Sequence, residues 1–271
     1  MPRANVRVLP TDAHFRLCVR SLRDAVAADR AAGLLPFAVV ASAGTTNTGA
    51  VDPLPALADL CAAEGLWLHA DAAYGGFAAL TERGRALLEG LGRCDSVALD
   101  PHKWLFVPFE CGCLLAREPG RLVDAFHIMP DYLRDVAPGE ERVNFADYGE
   151  QLTRQSRALK VWLGVRTFGV AALRAEMDRA MDLAAHAERL VRAEPSLEVT
   201  APAQLGVLCF RARGDDALNE RVNARVNATG RYLVSSTRLR GAFTLRLCVL
   251  GFRTTAADVE GLIAAVVEAA R

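Results

Sequence analysis

The order of apolar runs and helical repeats predicts an α/β fold: a mixed, mainly parallel sheet first, then a small C-terminal α+β unit. Three observations predict it. Short apolar runs alternate with amphipathic stretches through residues 17–117, the pattern of a layered sheet. A helix-dominated stretch fills residues 151–193. Beyond Pro195 strands and helices follow in a mixed order.

Leu17 to Ala32 carries apolar residues at helical spacing and stops at Gly33. Pro36 to Ala43 is a continuous apolar run and reads as a buried strand. The polar loop 44–49 follows it, then a helix over Pro55 to Glu64 closed by Gly65. Leu66 to Asp71 is a second strand, Leu80 to Leu91 a helix, Ser96 to Asp100 a third strand and Cys111 to Arg117 a fourth. Within the long helical stretch, Phe168-Gly169 predicts a kink. In the last part, strands are expected over Leu205 to Arg211, Tyr232 to Thr237 and Phe243 to Leu250. Helices are expected over Asp216 to Ala228 and Ala256 to Ala270. Two domains fit this order, residues 1–165 and 166–271.

Composition narrows the function. Of 271 residues, 52% are hydrophobic, enough for a sizeable core. Lysine plus arginine and aspartate plus glutamate both number 32, so no basic excess points to a nucleic-acid partner. No apolar run reaches the roughly 20 residues of a membrane helix, and the first residues lack the apolar core of a secretory signal. Seven cysteines at irregular spacing read as reduced thiols of a cytoplasmic protein. Cys111 and Cys113 form the only close pair, on one face of the fourth strand, and with no second pair no metal is expected.

Ligands of open α/β sheets bind beyond the carboxyl ends of the strands. Thr45 and Thr46, Asp71, and the segment Asp100-Pro101-His102-Lys103 stand there. Lys103 is followed by Trp104, Leu105, Phe106 and Val107. Apolar surroundings favour the neutral amine that a Schiff base requires; the alternative is a surface lysine at a strand end. Asp71 precedes small residues that leave room for a flat ligand. Its carboxylate would keep a pyridine nitrogen protonated; the alternative is a turn cap. The Gly44-Thr45-Thr46 loop offers hydroxyls and N–H groups to a phosphate or a ring substituent.

The stretches PFAVVASAGTTNTGAVDP, LWLHADAAYGG and CDSVALDPHKW, continued by KWLFVPFECGCLLARE and QSRALKVWLGVRTFGV, closely resemble the group II pyridoxal-phosphate-dependent amino acid decarboxylases. The resemblance covers nearly the whole chain. It implies a PLP-dependent transferase-like fold (fold type I) with a partial large domain, and the cofactor pyridoxal 5′-phosphate. It also implies an L-amino acid substrate and a homodimer. Position by position, it makes Lys103 the cofactor-bearing lysine and Asp71 the partner of the pyridine nitrogen. Ala73 becomes the small residue against the ring, Thr46 a cofactor contact, and His102 a neighbour of phosphate and substrate. Tyr132 matches a general acid that returns a proton to carbon, in a charged loop, Asp131 to Asn144, that reads as a lid. Relatives with Phe there resemble aldehyde synthases.

Two departures stand out. Asp100 occupies a position where many members have Asn, which puts a carboxylate near a phosphate. The family's dimerising region, phosphate loop and ring-stacking histidine have no counterpart in these residues, so an N-terminally truncated member is expected. An aminotransferase-like enzyme of the same fold, or an inactive fragment acting as an interaction module, remain as alternatives. Of the other polar residues, His69 reads as packed in its strand and His186 as solvated. His14 and His127 have no partner at motif spacing. Arg246 reads as structurally paired rather than as a substrate-carboxylate contact.

Overall fold

The computed structural model describes residues 2–128 and 143–271. Its first sheet has the order β1-β2-β3-β4, from Ala38–Ser42, Trp67–Asp71, Ser96–Leu99 and Cys113–Ala116. β1, β2 and β3 run parallel and β4 is antiparallel to β3, so the sheet is mixed and mainly parallel. Its register sets Ser42, Asp71 and Ala98 side by side at the strands' carboxyl ends.

Helix α1 (Val19–Ala31) buries Leu22 and Val26. Helix α2 (Leu54–Glu64) starts after Pro53 and ends on Gly65. Gly65 takes the left-handed φ of +65° that glycine adopts without a Cβ penalty. These helices cover one sheet face, where Val39, Ala41, Leu68 and Ala70 are buried. On the opposite face Val40 is 64% exposed and Leu114 48%, with Trp67 and His69 half-buried.

The expected helix over Leu80 to Leu91 divides. A 3-10 turn spans Gly76–Leu80, α3 covers only Glu82–Leu87, and another 3-10 turn spans Leu91–Arg93. The Thr81 hydroxyl accepts from Gly84 N and restarts the helix, while Gly90 at φ +89° ends the run. The fourth strand is shorter than expected: Cys111 is buried ahead of it and Cys113 begins it, exposed. A short helix α4 (Gly120–Phe126) was not foreseen.

Helix α5 (Arg157–Ala193) bends at Gly169, whose φ of 79° and ψ of 152° leave the helical region. The second sheet, order β5-β6-β8-β7, is antiparallel throughout. It comprises Leu197–Gln204, Val207–Ala212, Ser235–Leu239 (β7) and Ala242–Cys248 (β8). β5 was missed because Pro202 argues against a strand; it lies at the sheet's edge with register shifts, where proline is tolerated. β6 is buried along its length: Val207 and Cys209 belong to the first core, Leu208 and Phe210 to the second. α6 (Asp216–Ala228) and α7 (Ala256–Ala270) cover the second core, and α7 opens with a Thr255–Asp258 capping box. Helix α5 contributes Leu173, Met177 and Met181 to the first core and Leu183, Ala187 and Val191 to the second.

Candidate active site

The carboxyl ends of β1, β2 and β3 bring most of the sequence-predicted residues to one edge. After β1 the chain folds into a tight loop. The Thr45 hydroxyl lies 2.9 Å from that of Thr48 and accepts from the N–H groups of Thr48 and Ala50. Thr45 is thus used inside the loop, whereas Thr46 is exposed and its hydroxyl has no hydrogen bond among the described residues.

Asp71 ends β2, exposed, and its Oδ1 accepts from Ala73 N at 3.2 Å. That is the Asx turn the alternative reading anticipated, and it leaves Oδ2 without a bond among the described residues. Ala73 lies half-buried beside it, and its carbonyl accepts from Asp100 N at 3.3 Å. Gly75 and Gly76 belong to the small residues after Asp71 that were expected to leave room for a ligand. The structure gives that space to the chain itself. A Cβ on Gly75 would stand 2.2 Å from the Ala43 carbonyl oxygen, and one on Gly76 2.1 Å from Leu99 Cδ2.

After β3, Pro101 is buried and the chain turns; Lys103 N donates to Asp100 O at 2.9 Å. Lys103 Nζ is 2.8 Å from Asp100 Oδ2, and its side chain is 31% exposed. His102 Nε2 lies 3.7 Å from the same oxygen. Its Nδ1 lies 2.7 Å from the Cys111 carbonyl oxygen and 3.2 Å from Cys111 N. One tautomer cannot serve both, and the shorter contact, to an acceptor, places the proton on Nδ1. Phe109 meets the His102 ring edge-on at 5.0 Å. Trp104 is fully buried against Tyr74 at 5.5 Å. Tyr132 lies outside the described residues.

The second sheet fastens these loops. Arg246 Nε donates to the Thr46 carbonyl at 2.7 Å, the structural pairing expected for it. Cys209 Sγ donates to Asn47 O at 3.1 Å, and Gly206 N donates to the Tyr74 hydroxyl at 3.2 Å. Burial, with Cys248 alongside, raises the Tyr74 phenol well above its ordinary value, so it stays neutral. Tyr74, Gly206 and Cys209 escaped sequence reasoning because their partners lie more than 100 positions away.

Lys160 escaped it too, though the sequence carried a signal: the chain has two lysines among its 32 cationic residues, Lys103 and Lys160. Lys160 Nζ donates to the carbonyls of Pro108 and Glu110, at 3.1 and 2.6 Å, behind the Lys103 turn.

Three of the four other histidines have side-chain partners. His69 packs with Nδ1 2.8 Å from Ser96 Oγ, and burial lowers its pKa. His186 is paired with Glu260 at 2.9 Å rather than simply solvated, and His127 with Asp147 at 3.2 Å. No cluster able to hold a metal occurs among the described residues.

An electrophilic, flat heteroaromatic aldehyde fits this donor set: an amine, and a carboxylate oxygen and a hydroxyl that have no partner among the described residues, on neighbouring strand ends. The family model for the pyridoxal-dependent decarboxylase conserved domain matches residues 2–213. The chain is 42% identical to an aromatic-L-amino-acid decarboxylase of Bacillus atrophaeus, over 93% of this chain and 54% of that protein. It is 37% identical to tryptophan decarboxylase TDC1 of Camptotheca acuminata, over 90% and 51% respectively. The crystal structure of Oryza sativa TDC with PLP and tryptamine superposes with a TM-score of 0.92 at 33% identity. That match covers 99% of this chain and 58% of that one. The chain therefore spans about half the length of the curated relatives it matches. A family match over residues 2–213, most of the chain, places this chain in the pyridoxal-dependent decarboxylase family.

Proposed function

We propose that this chain carries the lysine-bearing part of an enzyme that converts an L-amino acid to its amine and carbon dioxide with pyridoxal 5′-phosphate. The observation that carries the reading is Lys103 Nζ, partly exposed at the end of β3, one strand from the Asp71 carboxylate oxygen that has no partner among the described residues. When bound, the cofactor supplies an electron sink for the electrons left by departing carbon dioxide.

The chain's own residues then have distinct tasks. Lys103 holds the cofactor by its carbonyl carbon. Asp71 keeps the pyridine nitrogen protonated, because an opposite charge favours the charged form. Thr46 offers its hydroxyl, Ala73 a small surface beside the ring, and His102 a donor or acceptor near Lys103. Tyr132, assigned by resemblance, returns a proton to the substrate carbon. The aromatic decarboxylases among the relatives put aromatic L-amino acids first in a substrate panel.

The reading extends to the whole protein. A site-bearing domain over residues 1–165 and a second over 166–271 are supported by the two separate sheets. A homodimer and a cytoplasmic location complete it. Among the described residues, no helix is long and apolar enough to cross a membrane.

The test is product analysis of the purified chain with added cofactor, over aromatic, imidazole and acidic amino acids. Amine and carbon dioxide in equal amounts, absent in Lys103→Ala, are expected. Keto acid in place of amine would reassign the chain to amino transfer, and no product from any of them would remove the reading.

A further inference from the structure

We infer that Asp100 is a positioning residue that restrains Lys103 by charge, and that a neutral side chain there makes the lysine more reactive toward aldehydes. The inference rests on the reading above and goes beyond it, because it concerns a carboxylate that the proposed chemistry leaves without a task.

The geometry of the turn fixes the three side chains. Asp100 N is held by the Ala73 carbonyl, and the Asp100 carbonyl holds Lys103 N. The two side chains therefore share one turn, with Oδ2 2.8 Å from Nζ. His102 is locked from behind by the Cys111 carbonyl and by Phe109, which aims Nε2 at the same oxygen from 3.7 Å. With side chains only 23% (Asp100) and 31% (Lys103) exposed, attraction between these two charges is stronger than on an open surface.

An amine attacks a carbonyl carbon with its lone pair, and an ammonium group held by a carboxylate has none to offer. Before attack, Nζ must give one proton to solvent and leave Asp100. The neutral amine then adds to the aldehyde carbon. The aldehyde oxygen departs as water with the two remaining N–H protons, leaving a carbon–nitrogen double bond. No electrons are gained or lost in this condensation. The Asp100 carboxylate opposes its first step, and it also opposes any anionic aldehyde at the same strand end. Asparagine has the same size and can still accept from Nζ, but carries no charge. Asp100→Asn therefore separates charge from shape.

The two-lysine composition makes the test direct. The intact chain, without cofactor, is treated with propanal and cyanoborohydride, and peptide mass spectrometry follows alkylation at Lys103 relative to Lys160. Removing an ion pair of this exposure is worth up to about 1 kcal/mol, so the Lys103-to-Lys160 ratio is expected to rise by up to about fivefold in Asp100→Asn. It should rise similarly in Asp100→Ala. An unchanged or lower ratio in Asp100→Asn overturns the inference. So does a rise confined to Asp100→Ala, which would mean that packing rather than charge restrains the lysine. Fixation of pyridoxal phosphate on the unmodified chain is scored separately: its failure would remove the cofactor reading and leave the propanal comparison standing.

Discussion

Lys103 and Lys160 are the two places where this chain uses lysine, against arginine at every other basic position. Arginine is always charged and cannot condense with a carbonyl, so the role proposed for position 103 requires lysine there. At 160 a compact three-donor head reaches two carbonyls at once. The cysteines sort by environment in the same way. Burial pushes Cys61 and Cys94 up to about 11 and Cys209 to about 12, whereas hydrogen bonding from Ser21 lowers Cys18. The thiolate is the reactive form, so iodoacetamide at pH 8 should modify Cys18 first and spare Cys61, Cys94 and Cys209 until the chain is unfolded. Raising the pH toward 9 should speed Cys18 less than a thiol whose pKa is raised, because its own is lowered. Site-resolved mass spectrometry reads this. For Tyr132, the expected result of Tyr132→Phe is a loss of about 100-fold in amine formation, with aldehyde among the products, checked by chromatography.

At the scale of elements, the site is a set of strand ends fastened from two sides. Asp52, 7% exposed, joins the N-terminal segment to the end of β1 by accepting from Leu17 N at 2.6 Å and Ser42 N at 2.7 Å. Burial raises its pKa despite these bonds. Asp52→Ala leaves two part-buried N–H donors without their partner and should cost about 1–3 kcal/mol, measured by urea unfolding followed by tryptophan fluorescence. His69 gives a pH test of the same sheet. Its folded pKa lies below 6.5, so its contribution is present above that pH and lost as the pH falls through the folded value. The stability of the unmodified chain should drop over that window more than that of His69→Gln, in paired urea titrations.

Much of this was legible in the chain. The apolar runs ending in Ala43, Asp71 and Asp100 named the three strands and hence the edge where the candidate site lies. The bend at Gly169 was legible because glycine interrupts a long apolar repeat. β5 was not, because edge position excuses a proline that local reasoning counts against a strand. Within the small residues that follow Asp71, the space at Gly75 and Gly76 is taken by the chain for a similar reason. What fills it, Ala43 and Leu99, comes from other strands and carries no local mark.

Over the whole molecule, one face of the first sheet is covered and the other is open. Parallel sheets are ordinarily covered on both faces. The open face presents Val40 and Leu114, and the first turns of α5 add exposed Leu159, Trp162 and Leu163. An apolar surface of this kind should bind anilinonaphthalene sulfonate with a blue-shifted emission, and Val40→Glu with Leu114→Glu should weaken that signal without changing far-ultraviolet circular dichroism. Sedimentation velocity over a range of concentrations checks the proposed dimer. These surfaces belong to a chain whose relatives are about twice as long, so the account turns on whether the strand-end site works within this chain. The most direct measurement is incubation with pyridoxal 5′-phosphate, reduction with borohydride and peptide mass spectrometry. One phosphopyridoxyl group per chain, on Lys103 and lost in Lys103→Ala, is predicted. Label on Lys160 alone, or none on either lysine, would contradict it.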